Sequence, residues 1–360
     1  MLEFRALKHY PAFTLDVSFK TTEGMVTGLF GRSGSGKTSI INIAAGLVKP
    51  DEGYVSVGGK VLYDSRNKIN LPAPSRSSGY IFQDGRLFPH MTVEANLRYG
   101  MKRSTENGHK AKFDDVVELL GIGELLKRRP HRLSGGEKQR VAIGRALLSS
   151  PDFLLMDEPL SALDSNRKEE LIPFIGKMVQ TFKLPVLYVT HSIDELFSLC
   201  DNVVLMNNGK CTDSGSVEDV VSRPANREIL SLSGRVSVLR AYAVSESEPS
   251  IITFENGKLG IPTSKHATGT ELRVAVHSDD VTLALNKPTG LSARNIMKGT
   301  VTAMDRSDDG AVAVTVDVGL PVYATITRSA ASELGIRAGM EIYVIMKTIA
   351  LSRLSVPFIH

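Results

Sequence analysis

The sequence predicts an α/β domain built on a parallel sheet, with a helical segment inserted into it, followed by an all-β domain. Three observations carry that reading. Val26–Phe30, Phe153–Met156 and Val186–Val189 are short, nearly continuous apolar runs, as expected for parallel strands buried on both faces. Residues 84–150 between them read mostly helical, over 94–97, 114–120 and 135–148. Beyond about residue 235 the apolar period becomes two, as in Leu272, Val274 and Val276, in Val281, Leu283 and Leu285, and in Val312, Val314, Val316 and Val318. Short strands of that kind, separated by Gly, Asp and Pro turns, suggest a small barrel. A polar stretch at 245–250 marks the change of texture.

Taken in order, the first run feeds Gly31-Arg-Ser33-Gly34-Ser35-Gly36-Lys37-Thr38-Ser39. Glycines there let backbone N–H groups turn inward around an anion, and the following helix adds its positive end. Lys37 would hold the β- and γ-phosphates of a nucleotide, and the Thr38 hydroxyl would ligate Mg²⁺. The next segment, with Ile40, Ile41, Ile43, Ala44 and Leu47, has helical spacing and stops at Gly46 or just beyond. Ser134 followed by Glu137 is a capping box, so a helix should start there, with Gly135 and Gly136 permitting close approach of an anion.

Asp157 and Glu158 close the second apolar run, and His191 follows the third. These are carboxyl ends of strands, where open α/β sheets place their ligands. An unpaired carboxylate at Asp157 would be costly, so a cation bound through water fits there. Glu158 suits the general base or water-positioning group for attack on a γ-phosphate. A lone histidine at a strand end is more often structural; here the order of the motifs reverses that preference.

Length, composition and charge bound the rest. A chain of 360 residues suits two or three domains. The net charge of +4 and pI near 8.9 demand no nucleic acid. Cys200 and Cys211 lack metal-ligand spacing and fit a reducing cytosol. The first residues lack the apolar core of a signal peptide, and no stretch approaches the roughly 20 apolar residues that span a bilayer.

The phosphate loop, the run Leu133-Ser134-Gly135-Gly136-Glu137-Lys138-Gln139-Arg140, Leu154-Leu155-Met156-Asp157-Glu158-Pro159 and His191 occur in that order. Together they resemble the ATPase subunits of ABC transporters, a P-loop NTPase fold with an inserted helical subdomain. The resemblance implies a homodimer in which ATP lies between one copy's phosphate loop and the other's signature, Ser134, Gly135 and Gly136. It makes His191 the switch histidine that contacts the γ-phosphate. Asp164, in Pro159-Leu-Ser-Ala-Leu-Asp164, falls in the D-loop, which crosses the dimer interface. Gln83, in Tyr80-Ile-Phe-Gln83, matches the glutamine that senses Mg²⁺ and the attacking water and leads to the surface facing the membrane partner. Many relatives carry Gln where this chain has Glu137, and either side chain satisfies the cap. Adenine should stack on an aromatic near the N-terminus; Tyr10 and Phe13 are both available, and Tyr10 is favoured.

Leu291-Ser-Ala-Arg-Asn295-Ile-Met-Lys298-Gly299-Thr-Val301, with Ala324–Gly339 and its short helix closing at Gly335, resembles the Mop domain. That is an OB-like barrel which binds molybdate or tungstate. Ser292, Arg294, Asn295 and Lys298 offer hydroxyl, guanidinium, amide and ammonium donors to a tetrahedral dianion. The whole is similar to the ATPase subunits of bacterial molybdate importers. An importer of sulfate, ferric ion or sugar with a vestigial tail is the alternative. The expected layout is an ATP-binding domain over 1–232, with its helical subdomain at about 84–150. A C-terminal β domain follows over 233–360, its Mop-type segment at about 290–355. The resemblance places the subunit on the cytoplasmic face of the inner membrane, against permease subunits, with an extracytoplasmic binding protein acting indirectly.

Overall fold

The computed structural model describes the chain except residues 22–24, 102–110, 231–234, 246–249, 255–256, 262–267, 307–309, 349–350, 352–354 and 358–360. The expected boundary at 232/233 and most of the polar stretch at 245–250 lie outside the described residues. The chain divides into two compact units, Met1–Val217 and Glu218–Phe358.

The first unit carries an eleven-stranded sheet. Its strands are β1 (Leu2–His9), β2 (Thr14–Lys20), β3 (Val26–Phe30), β4 (Glu52–Val57), β5 (Lys60–Asp64), β6 (Ile69–Asn70), β7 (Ser78–Ile81), β8 (Phe153–Asp157), β9 (Val186–Thr190), β10 (Asn202–Asn207) and β11 (Lys210–Ser216). The order is β6-β5-β4-β1-β2-β11-β10-β3-β9-β8-β7. The stretch β10-β3-β9-β8-β7 is parallel, and the three runs read as buried strands are β3, β8 and β9. The β1–β2–β4–β5 end is antiparallel. There β2 alternates exposed and buried residues along its whole length, one face packed and one wet.

The helices are α1 (Lys37–Ala45), α2 (Val93–Met101), α3 (Phe113–Leu119), α4 (Gly135–Leu147), α5 (Ser165–Phe182) and α6 (Ile193–Leu199). Helix α1 buries Ile40, Ile41, Ile43 and Ala44 completely and ends at Gly46, whose φ of 78° supplies the left-handed turn. The buried Arg76 guanidinium accompanies that end, donating to the carbonyls of Ile43 (2.7 Å) and Ala44 (3.1 Å). Helix α4 begins at Ser134 with both halves of the capping box formed: Ser134 N donates to Glu137 Oε2 (2.7 Å), and Glu137 N to Ser134 Oγ (3.3 Å).

The second unit opens with two short helices, α7 (Val217–Ser222, whose first residue closes the preceding unit) and α8 (Arg227–Leu230). One of its sheets has the order β14-β13-β12-β15-β21, from β12 (Val236–Ser245), β13 (Ser250–Phe254), β14 (Gly257–Ile261), β15 (Glu271–His277) and β21 (Ser355–Pro357). The other is β16-β20-β17-β18-β19, from β16 (Val281–Ala284), β17 (Asn295–Arg306), β18 (Ala311–Asp317), β19 (Pro321–Thr327) and β20 (Glu341–Met346). This curled antiparallel sheet is the expected OB-like element, and its short helix α9 (Arg328–Glu333) is capped by Thr327 and followed by Gly335 at φ 56°. One apolar cluster joins both sheets.

Strand β15 departs from simple alternation, because Arg273 is fully buried. Its Nε lies 2.8 Å from Glu218 Oε1, which Arg240 also approaches at 2.6 Å. Burial alone would raise the Glu218 pKa; Arg273 and Arg240 outweigh it and hold the carboxyl below the ordinary value of 4.5. Glu218→Ala leaves the guanidinium buried without its carboxylate and should destabilise the second unit by about 3 kcal/mol. A separate, lower calorimetric transition in the full chain would show it; an unchanged profile would contradict it. Because the folded pKa is depressed, this pairing stabilises above the unfolded value. It is lost as pH falls through the folded value, so the variant should lack that part of the acid sensitivity.

Candidate nucleotide site

Sheet order assembles the site. Strand β9 lies between β3 and β8, so the phosphate loop, the Asp157–Glu158 pair and His191 all emerge at one edge. A cavity of about 180 Å³ there is lined by Phe13, Ser33, Gly34, Gly36, Lys37, Thr38, Ser39 and Glu158. A larger cavity, about 580 Å³, lies over the antiparallel strands near Arg5, Asp64 and Arg66 and shares none of these residues.

The Lys37 side chain is buried and donates to the carbonyls of Gly31 (2.7 Å) and Arg32 (3.0 Å). Burial lowers its pKa, and Glu158 and Asp157 pull the other way by favouring the charged form. Gly36, at φ 102°, turns the loop into α1. A Cβ there would sit 2.8 Å from Leu15 Cδ1 and 3.4 Å from the Phe13 ring. Ser35 is buried, and its hydroxyl has no hydrogen-bond partner among the described residues.

Thr38 Oγ1 donates to Asp157 Oδ1 at 3.2 Å, and the Tyr80 hydroxyl donates to Asp157 Oδ2 at 3.3 Å. Burial raises the Asp157 pKa, and the two hydrogen bonds oppose it. A hydroxyl and a partly desolvated carboxylate in contact form a hard-oxygen donor pair of the kind Mg²⁺ takes. Glu158 adopts φ 46°, a left-handed backbone that a non-glycine residue keeps only under constraint. Its N–H donates to Val189 O (3.1 Å), and its carbonyl accepts from the Ser161 N–H and hydroxyl (3.2 and 2.8 Å). The Glu158 carboxylate consequently stands 3.2 Å from His191 Nδ1.

Other expected residues stand elsewhere. Gln83 is exposed, two residues beyond β7. Asp164 caps α5, accepting from Arg167 N at 3.0 Å. Ser134, Gly135 and Gly136 do not line the Lys37 cavity; Gly135 instead packs near Leu163 of its own chain, whose Cδ2 would be 3.0 Å from an added Cβ. Tyr10 stacks on Phe13 with centroids 4.9 Å apart, and Phe13, rather than Tyr10, borders the phosphate loop. Tyr80 was not read from the sequence, although its place one residue before the end of β7, beside β8, would have suggested it.

The four candidate oxyanion donors lie at the start of β17 and just before it, in the second unit. Asn295 is buried, and both ends of its amide are occupied: it accepts from Gly260 N (2.7 Å) and donates to Gly260 O (2.9 Å). Through these two bonds the amide splices β17 to β14. Lys298 faces Glu341 at 2.8 Å, and that bond raises its pKa. Ser292 and Arg294 are exposed.

Residues 14–161 match the ABC transporter family and residues 291–350 the TOBE domain. The structure resembles cbiO1 from Clostridium perfringens, part of the ABC transporter complex cbiONQ. The TM-score is 0.52 at 27% identity, over 61% of this chain and 89% of that one. It also resembles MJ0796, a bacterial ABC transporter cassette solved as a dimer, with a TM-score of 0.50 at 26% identity over 60% and 99% of the two chains. The first unit is thus an ATP-binding cassette of the ABC transporter class. The chain is 41% identical to the molybdenum import ATP-binding protein ModC of Rhodospirillum rubrum, covering 98% of each. It is 44% identical to that of Rhizobium etli, covering 94% of this chain and 96% of the relative. It belongs to the ModC family, the ATP-hydrolysing subunits of molybdate importers.

Hydrogen bonds to charged groups contribute about 1.5–3 kcal/mol, so Lys37→Met should weaken ATP binding by roughly 10- to 150-fold in a titration. Asn295→Ala should cost about 1–3 kcal/mol of second-unit stability by leaving Gly260 unpaired, with ATP affinity unchanged. Loss of oxyanion binding without loss of stability would instead assign Asn295 to an anion site.

Proposed function

We propose that two copies of this chain bind two ATP molecules between them, each held by one copy's phosphate loop and the other's Ser134–Gly136 segment. The observation that carries this reading is the placement of Lys37, Thr38–Asp157 and Glu158–His191 at one sheet edge, with the amino end of α4 outside their cavity. A capped helix start with two glycines is an anion site in search of a phosphate, and a second copy facing the opposite way supplies one.

In this mechanism the buried Lys37 ammonium and the N–H groups of the loop bind the β- and γ-phosphates. Thr38, Asp157 and Gln83 would hold Mg²⁺, which would supply charge neutralisation on the phosphates. Glu158 orients the attacking water and accepts its proton, and His191 fixes the Glu158 carboxylate and the γ-phosphate. Phe13, or Tyr10 behind it, supports the adenine. Dimer closure on ATP and reopening after hydrolysis drive a membrane permease through the segment after Gln83. The subunit sits on the cytoplasmic side of that permease, which receives molybdate from an extracytoplasmic binding protein.

For the second unit, Ser292 and Arg294 are the donors from which an oxyanion site would be built, completed by a second copy. Molybdate or tungstate bound there would slow transport. A fall in the ATPase rate of the assembled transporter on adding molybdate, absent in Arg294→Ala, supports that reading.

Removing a general base costs about 10²–10⁴ in rate. Glu158→Gln should therefore lose turnover by that factor, keep ATP binding, and sediment as a stable dimer only with ATP present. Full turnover in this variant would remove Glu158 from the role.

A further inference from the structure

Behind His191 lies a buried carboxylate that the hydrolytic mechanism does not use. Glu195, in the first turn of α6, is 3% exposed. Its Oε1 accepts from Lys168 Nζ at 2.9 Å. Its Oε2 accepts from the Tyr188 hydroxyl at 3.0 Å and from Thr190 Oγ1 at 2.8 Å. Thr190 Oγ1 in turn accepts from Ser192 N at 2.9 Å, and Ser192 Oγ accepts from Glu195 N at 3.4 Å. The turn from Thr190 to Ser192 is thus fastened on both sides of His191.

The cost of such an arrangement points to a use. A carboxylate withdrawn from water is tolerated only when fully paired, and an apolar side chain of similar volume would fill the space at least as well. Paired as it is, Glu195 joins three elements with separate origins in the chain. Tyr188 and Thr190 belong to β9. Lys168 belongs to α5, which Asp164 caps. Ser192 caps α6. All meet within a few ångströms of the turn whose exposed imidazole stands 3.2 Å from Glu158.

We propose that Glu195 is a positioning residue for ATP hydrolysis. By holding Thr190 and Lys168 together, it fixes the turn that presents His191 to Glu158 and fastens that turn to α5. The proposal rests on the reading of His191 as the residue that orients Glu158 and the γ-phosphate. Glu195 bonds to Lys168, Tyr188, Thr190 and Ser192 and acts through the histidine.

A double-mutant cycle on the full chain assembled with its permease tests this, with kcat and KM for ATP measured separately. A misplacement of about an ångström at a reacting group costs on the order of a hundredfold. Glu195→Gln, whose amide nitrogen cannot accept a hydrogen bond, should lower kcat by roughly tenfold to a hundredfold with KM changed by less than about twofold. In a His191→Ala background the same change should lower kcat by less than about twofold more. Thr190→Val, which removes one donor and keeps the side-chain shape, should reproduce the kcat effect, and it carries the test if Glu195→Gln does not fold. Equal losses in both backgrounds, a rise in KM matching the fall in kcat, or an unchanged kcat would overturn the proposal while leaving His191 its role. If His191→Ala alone leaves kcat unchanged, the reading of the histidine fails, and the proposal falls with it.

Discussion

A buried ammonium group governs this structure. Lys37 is taken out of water at the amino end of α1, held by two carbonyls of its own loop, with Asp157 and Glu158 favouring its charge. Desolvated charge interacts strongly with whatever approaches it. Lys37 and the helix end therefore make one concentrated positive site on a protein whose net charge is only +4. The packing beneath serves to keep that site rigid: α1 is sunk on Ile40, Ile41 and Ile43, and its far end is anchored by Arg76.

Rigidity at the lysine has a counterpart at the carboxylates. Strand β8 ends in Asp157, tied to Thr38 and Tyr80, and then in Glu158, whose backbone is forced into the left-handed region. The constraint comes from Val189 on β9 and from Ser161, so the direction of the Glu158 side chain is set by sheet neighbours rather than by its own preference. His191, one residue past the end of β9, inherits the same frame. The chemistry thus depends on β3, β9 and β8 lying side by side, an order fixed by packing of the interior strands.

The parts of this arrangement that could be read from sequence are those whose pattern is local. Apolar runs marked β3, β8 and β9 because strands buried on both faces need no alternation. Gly46 and Ser134 marked helix ends because a left-handed turn and a side-chain cap each demand particular residues. The antiparallel strands β1, β2, β4 and β5 passed unread, although β2 alternates cleanly, because the motif-bearing segments dominated the pattern. The pairing of Asn295 was illegible for a different reason: its partner Gly260 is distant in sequence. Tyr80 and Glu195 act through partners on other elements, and Arg273 is buried against Glu218, 55 residues away in sequence. No local pattern encodes such pairings.

Within one chain the amino end of α4 is packed beside Leu163 and does not line the Lys37 cavity, and the proposed function makes it a wall of the second copy's site. Trans-complementation addresses this most directly. Two full-length variants, Lys37→Ala and Ser134→Ala, are each assembled with the permease and assayed alone, then co-assembled in one complex. If each site is built from two copies, the mixed dimer contains one site with both lesions and one with neither, and co-assembly restores ATP hydrolysis that neither variant shows by itself. Failure of the mixed complex to exceed the two parents, or full activity of the Ser134 variant on its own, would contradict the account.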